Sequence, residues 1–349
     1  MPEMSKAVII GATGAVGEEL LGVLAQRKYP MSALRVCASD RSVGREVDFA
    51  DTRLSIEKTT PECLEGAGLV FMSAGAELSR ALAPEAVARG CTVIDNSSAF
   101  RMDPACPLVI PEVNGECVDQ FRGPGILANP NCSTIIALMA IAPLQALGRI
   151  TRVMACTYQA ISGAGQQAMA ELESQTKAWA RNQPLPTDAL GRQVIFNCFS
   201  HESPVGEDGM NAEERKLQDE TRRILGDEEI NVSATCVRVP VLRAHTEALH
   251  VAFDRPIDPE EASSMLASAS GVRIVDDPQP IDATGGDEVL VGRIRRDHGV
   301  AEGKGLALIA CGDQLRKGAA LNAVQIAERL SLGQQTHAMD VGGAPSRHP

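Results

Sequence analysis

The sequence predicts an α/β fold: a doubly wound parallel sheet first, then a second α+β domain with a broad sheet. Three observations carry this expectation. Short apolar runs alternate with helix-like stretches in the first part of the chain. A glycine-rich turn follows the first of those runs. Beyond the apolar stretch at Ile135 the texture changes to longer alternating strands.

The elements follow in order. "AVII" (Ala7–Ile10) reads as a strand, and a helix is expected from about Gly14 to Gln26. "LRVCAS" (Leu34–Ser39), "LVFMSA" (Leu69–Ala74) and "TVIDNS" (Thr92–Ser97) are further apolar runs, ended by small or polar residues. A helix from about Glu77 to Arg89 separates the last two. In the second part, "RVMACTYQA", "NVSATCVRVPV" and "EALHVAFDRP" read as long strands. Helices are expected around 165–180, 211–225 and 259–268. A last helix follows Gly312, with Ala320, Ala323, Val324, Ala327 and Leu330 in an i, i+3, i+4, i+7 stripe. The segment 333–349 shows no periodicity and is expected to be a disordered tail.

Composition narrows the class. Apolar residues make up 44% of the 349, enough for a large core, and aromatics only 3%, so that core is aliphatic. A formal charge of −12 argues against nucleic acid or an anionic membrane as the main partner. It leaves room for a small anionic substrate held by a local cluster of Arg and Lys. The N-terminus lacks the apolar stretch of a signal peptide, and the longest apolar run is too short to span a bilayer. The ten cysteines are scattered with no CxxC pair, so reduced thiols in a cytoplasmic protein are expected, and no metal site.

"VIIGATGAVGEELL" sets Gly11, Gly14 and Gly17 between a strand and a helix. Glycines there let backbone N–H groups approach a pyrophosphate, and the helix N-terminus adds partial positive charge. The alternative is a turn made tight for packing. The contacts expected for a bound dinucleotide are Gly11, Thr13, Gly14, Ala15 and Val16. The second strand ends in "DRSVGR". Asp40 suits the ribose 2′-hydroxyl of NAD, whereas Arg41 and Ser42 suit the 2′-phosphate of NADP, and the balance favours NADP.

"ILANPNCSTIIALMAIAPL" places one cysteine between a Pro-Asn turn and a helix apolar almost all round. Pro130 forces an extended approach, so the helix starts at or near Cys132. Its deep burial fixes the thiol, and the helix N-terminus favours thiolate. The first-turn N–H groups can also stabilise an oxyanion. The alternative is a buried structural cysteine, the role expected of most of the other nine. A nucleophilic cysteine needs a base. His201, His245 and His250 all remain open on the residues alone.

Together the motifs resemble aspartate-β-semialdehyde dehydrogenase. The matching pieces are "GATGAVGEELL", "ASDRSVG", "VIDNSSAFRM", "VIPEVN", "ANPNCSTI", "TYQAISGAG", "EERKLQDETRRIL", "SATCVRVPVLRAHTEA" and "DQLRKGAALNAVQIAE", in family order to about Leu332. The resemblance implies a Rossmann-type NADP-binding domain (residues 1–131 and 314–332) and a catalytic and dimerisation domain (132–313), similar in fold to glyceraldehyde-3-phosphate dehydrogenase. It implies a homodimer or homotetramer, NADP, and inorganic phosphate as co-substrate. It implies reversible interconversion of L-aspartate 4-semialdehyde and L-4-aspartyl phosphate, on the route to lysine, threonine, methionine and diaminopimelate.

Residue by residue, Cys132 matches the nucleophile, His245 the acid/base and Gln159 the group that orients substrate. Arg238 matches the ligand of the substrate α-carboxylate, Glu213 that of its ammonium, and Arg101 and Lys216 the phosphate contacts. Ser162, Gly163 and Gln314 match positions near the nicotinamide. Each has a plainer alternative: Arg101 as a surface cation, Glu213–Lys216 as an ion pair on one helix face, Arg238 as the partner of a protein carboxylate. "FNCFSHESPVGEDGM" (196–210) lacks the "PQI" that often follows "FN" in the family. The rival activities are a related acyl-phosphate reductase, such as N-acetyl-glutamyl-phosphate reductase, and a non-catalytic dinucleotide-binding paralogue.

Overall fold

The computed structural model describes residues 6–341, and the chain divides into two units. Of the described residues, one comprises 6–13, 20–129 and 322–341, the other 14–19 and 130–321.

The first unit is built on a six-stranded sheet. Its strands lie in the order Glu57–Lys58, Ala33–Ala38, Lys6–Ile10, Leu69–Met72, Thr92–Asp95 and Gly125–Ala128. All pair in parallel. In chain sequence that is 3-2-1-4-5-6, the doubly wound order of dinucleotide-binding sheets. The central strands read as unbroken apolar runs because both faces are covered: Val8, Ile10, Val70, Met72 and Val93 are buried on one face, and Ile9, Phe71 and Ile94 on the other. Gly11 turns out of the first strand at φ +89°, and a Cβ there would overlap the Ser73 carbonyl. Only glycine fits both the angle and the approach. The predicted helices appear as Ala15–Gln26 and Ala76–Ala88.

The last helix, Leu321–Val341, returns to this unit from Asn322 onward. Asn322 Nδ2 donates to the Val109 carbonyl (2.9 Å) and to Asn129 Oδ1 (2.6 Å). Arg27 pairs with Glu328 (2.7 Å), and Ala323, Val324 and Ala327 are buried. The helix continues past Leu332 to Val341. Gln334, Gln335, Ala338 and Met339 favour helix without forming an apolar stripe, so missing periodicity there does not mean missing structure. Residues 342–349 of the expected tail lie outside the described residues.

The second unit carries a seven-stranded mixed sheet. The order is Phe199–Ser200, Asn231–Arg238, Ile150–Gln159, His245–Phe253, Gly305–Gly312, Val289–Arg296 and Val272–Ile274. Every other residue of His245–Phe253 is buried, so His245, Glu247, Leu249, Val251 and Phe253 face one way. The Cys132–Ile141 and Ala212–Leu225 helices pack with this sheet. Ser133 through Ile141 are all buried. Each large aliphatic side chain so enclosed contributes about 1.5–3 kcal/mol of transfer free energy. Among the described residues no helix is long and apolar enough to cross a membrane, and no His/Cys/Asp/Glu group could hold a metal ion.

Candidate active site

Cys132 is the first residue of its helix, and Asn131 is the N-cap. Asn131 Oδ1 accepts from the N–H groups of Ser133 (3.0 Å) and Thr134 (3.3 Å). This corrects one expectation: the cap already uses two of the first-turn donors assigned to an oxyanion. Asn131 is itself fixed from the Ala212–Leu225 helix. Its backbone N–H donates to Glu220 Oε2 (2.6 Å) and its side-chain amide to Glu213 Oε1 (2.8 Å). The Cys132 side chain is half-buried, whereas six of the other nine cysteines are buried. A Cβ on Gly318, in the π-helical turn Arg316–Ala320, would lie 3.0 Å from Cys132 Cβ. Glycine at 318 therefore lets that backbone approach the thiol-bearing residue.

Gln159 ends the strand Ile150–Gln159 beside Arg238, its partner in the parallel register. Its amide donates to Ser133 Oγ (2.9 Å), on the residue after Cys132, and to Glu213 Oε1 (3.1 Å). The peptide of Ala160 continues the connection. Its N–H donates to His245 Nδ1 (3.0 Å), and its carbonyl accepts from Arg238 Nη1 (3.1 Å). A neutral imidazole accepting at Nδ1 carries its proton on Nε2. His245 is fully buried. Burial, with Arg238 acting in the same sense against Glu213, lowers it to about 3. As positioned it is a neutral donor, and to act as a base it must give up the Ala160 contact. His245 Nε2 and Gln159 Oε1 are buried polar atoms without a partner among the described residues. Such atoms need an explanation, and a bound substrate supplies one.

Gly163 lies against the Arg238 and His245 side chains. A Cβ there would stand 2.7 Å from Arg238 Nη1 and 3.3 Å from His245 Nε2. Ser162 Oγ accepts from Gln314 Nε2, and Gln314 Oε1 accepts from the Ala244 N–H (2.8 Å). Glu213 is 4% exposed and also takes Lys216 Nζ at 2.9 Å on its second oxygen. Burial pushes its carboxyl up, but the Lys216 charge, His201 and the Asn131 hydrogen bond outweigh this and hold it well below the usual range. Arg238 is 2% exposed and its fork holds Glu202.

In the first unit Arg101 is buried and not a surface cation. Its Nε donates to the Asn129 carbonyl (2.9 Å) and its Nη2 to the Asn96 carbonyl (2.9 Å). At the expected cofactor end the Gly11 and Ala12 N–H groups are taken by the Cys37 carbonyl (2.8 and 3.1 Å). Ala15 and Val16 open the following helix, and Gly14 immediately precedes it. Ser42 is buried with Thr13 Oγ1 3.3 Å away, and Asp40 is paired with Lys58 (2.9 Å). Arg41 is exposed and makes no ion pair among the described residues.

Sequence reasoning missed Asn131, Ser133, Glu202, Glu220, Glu247 and Gly318. Asn131 was readable as an N-cap. Glu247 was readable too, since it shares the inward period of His245 and Leu249. Burial, only partly offset by the Ser133 hydroxyl and reinforced by the Glu213 charge, pushes the Glu247 carboxyl well above its ordinary value.

The two halves of this arrangement match known domains in chain order. Residues 6–121 match a semialdehyde dehydrogenase NAD-binding domain, and residues 141–317 a semialdehyde dehydrogenase dimerisation domain. Fold and domains together define a semialdehyde dehydrogenase.

The aspartate-semialdehyde dehydrogenase of Synechocystis sp. is 46% identical over 95% of this chain and 98% of its own length. Aspartate-semialdehyde dehydrogenase 2 of Vibrio cholerae is 42% identical over 95% and 98%. A crystal structure of the Vibrio cholerae enzyme II, complexed with ASA, superposes with TM-score 0.91 at 41% identity, covering 95% of this chain and 99% of that one. The chain belongs to the aspartate-semialdehyde dehydrogenase family.

Proposed function

We propose that the chain catalyses NADP-dependent reductive dephosphorylation of L-4-aspartyl phosphate to L-aspartate 4-semialdehyde, reversibly, through a thioester on Cys132. One observation carries the reading. The Gln159–Ala160 segment hydrogen-bonds to the residue after Cys132 on one side, and to His245 and Arg238 on the other. A nucleophile, an electrophilic donor and an anion ligand are thereby joined through one stretch of backbone.

In the biosynthetic direction Cys132 Sγ attacks the acyl phosphate carbonyl and phosphate leaves with the C–O electron pair. Arg101 and Lys216 are the cations assigned to phosphate. His245 Nε2–H donates to the carbonyl oxygen as it gains charge, and Gln159 orients the acyl group. A removed donor of that kind costs about 3–4 kcal/mol of transition-state stabilisation. NADPH, when bound, supplies the hydride that reduces the thioester. Protonation of the resulting oxygen and collapse of the hemithioacetal then return the Cys132 thiol and release the aldehyde. Arg238 takes the substrate α-carboxylate. The substrate ammonium is assigned to Glu213, in competition with Lys216.

Gly11, Thr13, Gly14, Ala15 and Val16 would hold the dinucleotide, with Ser162, Gly163 and Gln314 toward its nicotinamide. Arg41 and Ser42 would hold the 2′-phosphate. The reading is supported by the glycine turn at Gly11 leading into the helix that starts at Ala15, and by Asp40 being drawn onto Lys58. The Arg41→Ala variant is expected to weaken NADP by about tenfold to a hundredfold while NAD changes by less than about threefold. Titration with both cofactors checks this, and equal losses place the 2′-phosphate elsewhere.

A homodimer or dimer of dimers, formed through the second unit, is supported by its match to a dimerisation domain. Tyr158, 43% exposed on the sheet face away from Gln159, agrees with this. Cytoplasmic amino-acid biosynthesis is the setting that this activity implies. The deciding assay follows NADP and NAD reduction in parallel with L-aspartate 4-semialdehyde and phosphate. N-acetyl-glutamate semialdehyde serves as the competing substrate. Activity on the acetylated compound alone, or on neither, removes the reading.

A further inference from the structure

Arg238 lies at the end of the strand Asn231–Arg238 and is 2% exposed. Its Nε and Nη2 donate to the two oxygens of Glu202 (2.9 and 2.7 Å). Nη2 also meets His201 Nε2 (2.9 Å), and Nη1 donates to the Ala160 carbonyl (3.1 Å). The paired Nε and Nη2 bonds are the fork by which an arginine binds a free carboxylate. The side of the guanidinium best suited to a substrate α-carboxylate is therefore already filled by one of the protein's own.

The two partners differ in freedom. Arg238 is anchored by its strand and by Ala160. The Glu202 side chain keeps 30% of its surface in solvent and sits two residues past the short strand Phe199–Ser200. A buried guanidinium cannot be left without a counter-charge. Glu202 meets that need when no ligand is present, and it is the member able to turn back to water.

We propose that Glu202 is a resident competitor for the substrate α-carboxylate: substrate binding exchanges one carboxylate for another on Arg238, and Glu202 sets the affinity. This rests on the reading that Arg238 takes that carboxylate. Glu202 remains an anion throughout the working pH range. Burial raises its carboxyl, but the hydrogen bonds and charge of Arg238 outweigh burial and hold it at about 2. Its charge therefore faces any incoming carboxylate at every pH at which the enzyme works. Even a substrate that took only Nη1 would meet this repulsion.

The test is the Glu202→Gln variant, which keeps a hydrogen-bond acceptor and loses the charge. KM for L-aspartate 4-semialdehyde is expected to fall by about tenfold. The inhibition constant of L-2-aminobutanoate, which keeps the carboxylate and ammonium and lacks the aldehyde, should fall with it. The effect falls on KM rather than on kcat. Loss of a purely structural contact loosens a binding site, so it cannot imitate tighter binding. Glu202→Asp, charged but shorter, should give a smaller fall, and it serves if the Gln variant does not fold. Arg238→Ala tests the underlying reading separately: KM should rise about tenfold or more, and an unchanged KM removes Arg238 from the substrate site. If Arg238→Ala raises KM while Glu202→Gln leaves it unchanged, Glu202 is not in the way. If Glu202→Gln raises KM, Glu202 serves the substrate ammonium or orients Arg238. Either result overturns the competitor.

Discussion

Cys132→Ala is expected to abolish phosphate-dependent turnover while leaving the fold and NADP affinity in place. The substitution removes one sulfur atom from the first residue of a helix whose other nine residues are all buried. The N-cap is Asn131, held by Glu213 and Glu220, and none of those bonds passes through the cysteine side chain. Alanine is also the best helix former, so the local backbone is not weakened. Without a nucleophile no thioester forms, and neither hydride nor phosphate has an activated acyl group to attack. The expected loss in kcat is about four orders of magnitude or more. Steady-state reduction of NADP, NADP titration and a thermal melt on the same preparation check it together. Residual phosphate-dependent activity within a hundredfold of the parent would falsify the thioester route.

The parts legible in the sequence are those set by short-range periodicity. Apolar runs of four to six residues alternating with helices announced the parallel sheet, and Gly11 marked the turn that only glycine can make. The alternation within "EALHVAFDRP" marked a strand of the broad sheet, but that the strand begins two residues earlier, at His245, was not legible. The long-range partners were not legible. Asn131 meets Glu213 across 82 positions, and Gln159 meets Glu213 across 54. No local pattern distinguishes these from exposed polar residues. Glu213 and Lys216 could be read equally well as a solvated pair three apart. Only the packing of their helix shows that Glu213 is buried. Likewise, Arg238 in an apolar strand demanded a counter-charge, but whether a ligand or the protein supplied it could not be read before Glu202 was placed. The helix beyond Leu332 escaped for the opposite reason: its polar residues favour helix without forming a stripe.

Glu213→Ala should cost more stability than any other single change in this network. One Glu213 oxygen receives Asn131 and Gln159, and the other receives Lys216. Removing the carboxylate leaves two amides and an ammonium without their buried acceptor. Breaking a buried pair by deleting one member costs about 3–5 kcal/mol, read by denaturant unfolding of the second unit. The pH dependence has a definite sign. The folded-state carboxyl is held below its ordinary value, so its contribution is fully present above the unfolded pKa, near 4.5, and is lost as pH falls through the folded value. The difference between parent and Glu213→Gln should therefore be largest near neutrality and shrink on acidification. Activity separates two roles for this residue. As an anchor, Glu213 holds the start of the Cys132 helix and the Gln159 amide, and its loss lowers kcat by about a hundredfold through misplacement of the reacting groups. As a ligand of the substrate ammonium, its loss raises KM with stability little changed. Both oxygens are already occupied within the protein, so the fall in kcat and the loss of stability are expected alongside the rise in KM that the ammonium contact predicts.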